Sequence, residues 1–224
     1  MSRASMRVVA LMLTVLAGAV ACRAGSGTSS AVPSPVADEV RATAPAQETA
    51  VVAGGCFWGI QAVFQHVKGV VSATSGYSGG TAKNPDYEAV SSGETGHAES
   101  VQIVYDPSQV TYGELLRLFF SVALDPTEVN RQGPDEGTQY RSLIIYGNDQ
   151  QKHIAEAYIA QLNQAKVFRK AIATQVVPLT AFYPAEAYHQ NYATLHPDNP
   201  YIVYNDAPKV ANLRRQLPDL YTGK

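Results

Sequence analysis

Cys56 is the residue of this 224-residue chain whose setting most suggests chemistry. It stands in Gly54-Gly55-Cys56-Phe57-Trp58-Gly59, between a short apolar run, Ala50-Val51-Val52-Ala53, and a segment of helical periodicity. A strand that turns into a helix at two glycines puts the cysteine in the helix's opening turn. Unpaired backbone N–H groups and the positive end of the helix dipole favour an anion there, so the spacing predicts a thiol shifted toward thiolate, its nucleophilic form. The two glycines allow a sharp turn and leave the sulfur uncovered. Phe57 and Trp58 would wall an apolar pocket beside it, or would simply open the core. A buried, inert cysteine is the competing reading.

The elements that must position this thiol follow from apolar periodicity. Ile60, Val63, Phe64 and Val67 fall on one helical face, which Gly69 ends. Val70 to Tyr77 read as a second strand, and Glu99 to Tyr105 alternate as a third, stopped by Asp106-Pro107. Thr111 with Glu114 makes a capping box for a helix whose core stripe is Leu115, Leu118, Phe119 and Val122. Asp125 to Gln139 is loop by composition. Tyr140 to Tyr146 read as a fourth strand, and Ile154, Tyr158 and Leu162 share a face of a helix over about 150–164. A weaker strand near Thr174 to Val177 and a short helix around Glu186 to Leu195 follow. The order strand, helix, strand, strand, helix, strand is that of an α+β, ferredoxin-like two-layer sandwich with a mixed sheet and long loops around the site.

Composition bounds the rest. Hydrophobic residues at 46%, charged residues at 16% and a net charge of −2 describe one foldable globular domain and give no footprint for nucleic acid. Met1 to Ala21 carry Arg3 and Arg7 ahead of an uncharged apolar run, Val8 to Val20, and close on Ala19-Val20-Ala21 before Cys22. That pattern is a bacterial export signal, since the run is shorter than the ~20 residues that cross a bilayer. Cys22 placed after small residues resembles a lipobox cysteine, the lipid-carrying first residue of a mature lipoprotein, although Ala19 stands where such motifs carry Leu. Cleavage after Ala21 to leave a soluble protein with a free thiol competes with it. The expectation is an exported protein of the bacterial envelope or periplasm, held to a membrane through Cys22. Residues 22–47, rich in Ala, Ser, Pro, Gly and Thr, read as a flexible tether. Only two cysteines exist, so with Cys22 acylated the domain owns one thiol and no disulfide.

The sequence resembles the peptide methionine sulfoxide reductase A family. Gly-Cys-Phe-Trp-Gly matches its signature, and further motifs follow in its order: Gly76-Tyr77-Ser78-Gly79-Gly80, Asn84-Pro85 through Tyr87, and Gly93 through Gly96-His97-Ala98-Glu99. Tyr105-Asp106-Pro107, Asp125-Pro126-Thr127, Asn130-Arg131-Gln132-Gly133, Asp135 and Gly137-Thr138-Gln139-Tyr140-Arg141-Ser142 continue the register. The resemblance runs from about Val51 to Asp206, so a catalytic domain over 48–206 and a tail over 207–224 are expected.

The resemblance implies reduction of methionine S-sulfoxide, protein-bound or free, with Cys56 attacking the sulfoxide sulfur, oxygen leaving as water and Cys56 ending, once a water has added back, as a sulfenic acid. Glu99 would be the acid, kept protonated by burial. Tyr87 and Tyr140 would donate phenolic hydrogen bonds to the oxygen, Asp135 would order the site, and Phe57 and Trp58 would hold the substrate methyl. Read without the family, Glu99 is an edge-strand residue facing water, and each tyrosine, one of thirteen, is packing. His97 and His189 are expected in structural hydrogen bonds. No metal or bound cofactor is implied. Many members carry recycling cysteines near the carboxyl terminus, and the tail here has none. An external thiol must then regenerate Cys56, be it thioredoxin, glutaredoxin with glutathione, or dithiothreitol. The expected partners are oxidised proteins, free methionine sulfoxide and a reductant protein, with the enzyme a monomer. A second departure is Leu124, where the family often has His. A cysteine hydrolase using one of the five histidines, and a tethered binder of oxidised proteins without turnover, are the rival readings.

Overall fold

The computed structural model describes residues 32–223. The export signal of 1–21, Cys22 and the first part of the expected tether therefore lie outside the described residues. The chain enters strand β1 (Glu48–Ala53), helix α1 (Phe57–Gln65), strand β2 (Val70–Ser78), the short helix α2 (Tyr87–Ser91) and strand β3 (Ala98–Tyr105). Helix α3 (Tyr112–Leu118) opens on the expected capping box and widens into a π-turn at Phe119–Ala123. The stripe Leu115, Leu118, Phe119 and Val122 is buried across that change of pitch.

Two-residue strands β4 (Arg131–Gln132) and β5 (Asp135–Glu136) form a small hairpin within the stretch expected to be loop. Strand β6 (Leu143–Tyr146) is shorter than expected, because Tyr140 belongs to a 3-10 turn, Thr138–Tyr140, ahead of it. Helix α4 (Asp149–Gln164) leads to β7 (Gln175–Pro178) and β8 (Phe182–Pro184). The short helix expected over 186–195 is broken into a 3-10 turn, Ala187–His189, and α5 (Tyr192–Leu195), with Asn191 left-handed at φ 57° between them. A π-turn, Ile202–Asp206, and α6 (Ala207–Gln216) close the chain.

The sheet order is β7-β6-β1-β3-β2-β8. Its four middle strands pair antiparallel as β6-β1-β3-β2, the ferredoxin-like arrangement, while β7 joins β6 in parallel and makes the sheet mixed. One face carries the main core, including Val52, Val101, Ile103 and Ile144 under Ile60, Phe64 and Leu116. Val51, Ala53, Leu143 and Ile145 on the other face meet Leu179 and Phe182. Each of these large side chains contributes roughly 1.5–3 kcal/mol by leaving water.

Two boundaries differ from expectation. Residues 32–47 are not a free tether: Val32 is buried, Pro33 O accepts from Tyr158 Oη at 2.6 Å, and Asp38 and Glu39 bond the start of α3. Their polar composition hides this because they dock through carboxylates and backbone oxygens rather than an apolar stripe. Residues 207–223, within the stretch expected as a tail, pack on the domain. Leu213 and Leu217 enter the core, and Lys68 N–H donates to Leu220 O at 2.7 Å while Thr222 N–H donates to His66 O at 2.8 Å, fastening the end of α1.

Candidate active site

The antiparallel register sets Ala53, the last residue of β1, opposite Ser100, so Glu99, the second residue of β3, lies where the chain leaves β1 for Cys56. Gly55 makes that exit at φ +89°, and a Cβ there would run into the side chain of Gln132. Its N–H donates to Tyr140 O at 3.2 Å, tying the thiol turn to the Tyr140 loop. Cys56 is the N-cap of α1, and its sulfur closes no capping hydrogen bond. Only 7% of the residue is exposed.

Glu99 lies on a central strand, not an edge, and is 3% exposed. The Phe57 N–H, the first amide of α1, donates to its Oε2 at 3.0 Å. Burial nonetheless pushes the Glu99 carboxyl up to about 8, helped by the charges of Asp135 and Asp206 and opposed by that N–H. Near neutral pH it is an acid carrying its proton. Burial likewise lifts the Cys56 thiol well above its ordinary value, with Glu99 and Asp206 adding to the rise and the Trp58 amide and Lys209 opposing it. The resting site therefore holds a thiol where the helix start alone predicts a thiolate. Desolvation and neighbouring carboxylates outweigh a dipole whose leading amide is directed at Glu99.

All seven residues expected in the site line one cavity of about 200 Å³: Cys56, Phe57, Trp58, Tyr87, Glu99, Asp135 and Tyr140, joined by Tyr201. Burial, foremost, raises the phenols of Tyr87, Tyr140 and Tyr201, so each keeps an O–H to donate. Trp58 stacks on Tyr192 at 3.8 Å and meets Tyr201 edge-on at 6.0 Å, and its indole N–H donates to His189 Nδ1 at 3.2 Å. His189 is thus structural, as is His97, whose Nδ1 accepts from the Gly80 N–H at 3.1 Å.

Sequence reasoning missed three contributors. Tyr201 donates its hydroxyl to Asp135 Oδ2, so Asp135 holds a wall of the cavity through a phenol. Glu186 accepts from Tyr77 Oη at 2.7 Å and from the Tyr87 N–H at 2.9 Å, fixing the start of α2 and with it Tyr87. Asp206, wholly buried, pairs with Lys209 Nζ at 3.1 Å. No local pattern marks them, since Tyr201 and Glu186 act across more than sixty residues and Asp206 pairs with a lysine in the segment read as a tail. Among the described residues, no group of three or more His, Cys, Asp or Glu could hold a metal ion. No helix among them is long and apolar enough to cross a membrane.

An α+β sandwich that presents a thiol and an uncharged carboxyl to one small aromatic-walled cavity has the layout of a thiol-dependent redox enzyme. A family model described as peptide methionine sulfoxide reductase matches residues 48–220. The chain is 60% identical over 181 residues to peptide methionine sulfoxide reductase MsrA 2 of Mesorhizobium japonicum, covering 81% of this chain and 93% of that protein. It is 52% identical over 193 residues to the protein of the same name from Synechocystis, covering 85% and 90%. Among solved structures, methionine sulfoxide reductase A of Corynebacterium diphtheriae superposes with a TM-score of 0.59 at 37% identity, covering 75% of this chain and 85% of that one. Reduced Mxr1 of Saccharomyces cerevisiae gives 0.61 at 33%, covering 68% and 87%. The chain belongs to the peptide methionine sulfoxide reductase A family and is an oxidoreductase that reduces methionine sulfoxide at the expense of thiols. That membership displaces the hydrolase and non-catalytic binding readings.

Proposed function

We propose that Cys56 is the nucleophile, that Glu99 supplies the proton, and that the enzyme repairs the S-sulfoxide of methionine, in proteins and free, outside the cytoplasm. One observation carries the reading: the sulfur and a carboxyl raised to about 8 line the same cavity of about 200 Å³, together with Phe57, Trp58 and three phenols. Sulfoxide oxygen leaves poorly unless protonated, and a neutral Glu99 can protonate it. As that proton moves, the oxygen's negative charge is met by the O–H groups of Tyr87 and Tyr140.

In balance, the methionine sulfur gains two electrons and loses its oxygen, while the Cys56 sulfur loses two electrons and ends as S–OH. One external thiol displaces water from that sulfenic acid to give a mixed disulfide, and a second releases Cys56 and leaves as disulfide. Thioredoxin, or glutathione with glutaredoxin, fills this part, since the chain has no carboxyl-terminal cysteine to do so. Single turnover on a methyl sulfoxide with resolved epimers tests the reading. The S epimer should yield one methionine-type sulfide and one trappable sulfenic acid per Cys56. Consumption of both epimers, or no label at Cys56, would refute it.

The export signal and Cys22 support a lipid-anchored enzyme of the bacterial envelope. With Val32 buried in the domain, a stretch of nine residues such as Arg23 to Ala31 can reach at most ~30 Å, so the anchor would hold the domain close to its membrane. Cys22→Ala should release the protein from membranes and leave purified activity intact.

A further inference from the structure

Asp206 is a buried carboxylate that the reaction above does not use. It is the N-cap of α6 yet makes no capping hydrogen bond, and its Oδ2 has no partner although it is sealed from solvent. Its other oxygen holds Lys209 Nζ at 3.1 Å, and Lys209 is 21% exposed. A buried ion pair of this kind adds little stability by itself, because both desolvation costs must be recovered. Its location suggests another use. Gly59 is the third residue of α1, and a Cβ there would overlap Asp206 Oδ1 and press on Lys209 Nζ. The pair packs on bare helix backbone, and Cys56 and Gly59, three residues apart, share that face of the first turn.

Lys209 also lines a second cavity of about 360 Å³ that shares Asp135 and Tyr201 with the thiol cavity. Among the described residues lining the two cavities it is the only cation. The other groups facing Cys56 are Glu99 from β3, Asp135 from β5, Asp206 itself, and the phenols of Tyr87, Tyr140 and Tyr201, with His189 held neutral behind Phe57 by burial. None of them can balance a thiolate.

We infer that Asp206 and Lys209 are positioning residues for the Cys56 reaction: Asp206, seated against Gly59, holds the Lys209 ammonium beside the first turn of α1 as counter-charge to the developing thiolate. The two charges act on the thiol with opposite sign, Asp206 against ionisation and Lys209 for it. This rests on Cys56 being the reacting thiol, and its test needs no turnover.

The test is the pH dependence of Cys56 alkylation by iodoacetamide in the full chain, with peptide masses separating Cys56 from Cys22. Lys209→Met should raise the thiol titration by about one unit and slow alkylation about tenfold at pH 8, while Lys209→Arg stays within about twofold of wild type. Asp206→Asn, which leaves the ammonium uncompensated, should shift the titration the other way and speed alkylation. A pair that only packs would not move the two variants in opposite directions. An unchanged titration in Lys209→Met with wild-type circular dichroism, or shifts of the same sign in both variants, overturns the inference. If Lys209→Met does not fold, Asp206→Asn decides alone, faster alkylation supporting it and unchanged or slower alkylation overturning it. Such a failure, with Cys56 still required for sulfoxide reduction, would leave the proposed function standing.

Discussion

Helices α1 and α3 begin alike in the sequence, each after a strand and each with free amides to satisfy, and the fold spends those amides differently. At α3 every one meets an oxygen. Thr111 Oγ1 accepts from the Glu114 N–H at 3.2 Å, Glu114 Oε2 from the Thr111 N–H at 2.8 Å, Glu39 Oε1 from the Tyr112 N–H at 2.7 Å and Asp38 Oδ1 from the Gly113 N–H at 2.8 Å. At α1 the cap is a cysteine whose side chain closes no capping hydrogen bond, and the first amide goes to a buried carboxyl raised to about 8. One start is built for stability, the other holds uncompensated groups ready for chemistry. Changes at α1 should therefore cost activity and spare or raise stability, and changes at α3 should do the reverse.

Cys56→Ser tests the comparison hardest. It should abolish sulfoxide reduction, by more than about a thousandfold in single turnover, with melting within a few degrees of wild type. Retained activity would end the assignment of the thiol. Glu99→Gln should slow the oxygen-transfer step by about 10²–10⁴-fold.

The same substitution should stabilise the fold, with a defined sign in pH. Because the folded carboxyl titrates at about 8 and the ordinary value is 4.5, ionising Glu99 costs stability as pH rises from 4.5, and the loss is complete above about 8. Glu99→Gln should therefore gain about 2–4 kcal/mol on wild type at pH 8.5 and nothing at pH 4, read by urea unfolding. Equal gains at both values would disprove a neutral buried acid.

At α3, Asp38→Asn with Glu39→Gln should lower unfolding free energy by about 1–3 kcal/mol while kcat/KM stays put. A fall in kcat/KM would mean that the docked strap reaches the site. Thr111→Ala is the smallest change, about 1 kcal/mol of stability and no kinetic effect.

Local rules carried most of the fold. The capping box, the stripe through Val122 and the faces of α1 and α4 were legible because each rests on residues within two or three turns. Tyr140 reads as strand because it leads into the apolar run Leu143-Ile144-Ile145-Tyr146, whereas it sits in a 3-10 turn and its carbonyl accepts from the distant Gly55 N–H. In the site, Cys56, Phe57 and Trp58 could be read from one contiguous motif. Tyr87, Glu99, Asp135 and Tyr140 needed the family resemblance, and Tyr201, Glu186 and the Asp206–Lys209 pair gave no signal.

From its residues alone this chain determines a thiol at a strand-to-helix turn and an α+β order, because both depend on neighbours in sequence. The tertiary structure decided the charge on that thiol and on Glu99. A pKa answers to burial and to carboxylates brought in from β3, β5 and the start of α6, and only folding brings them together.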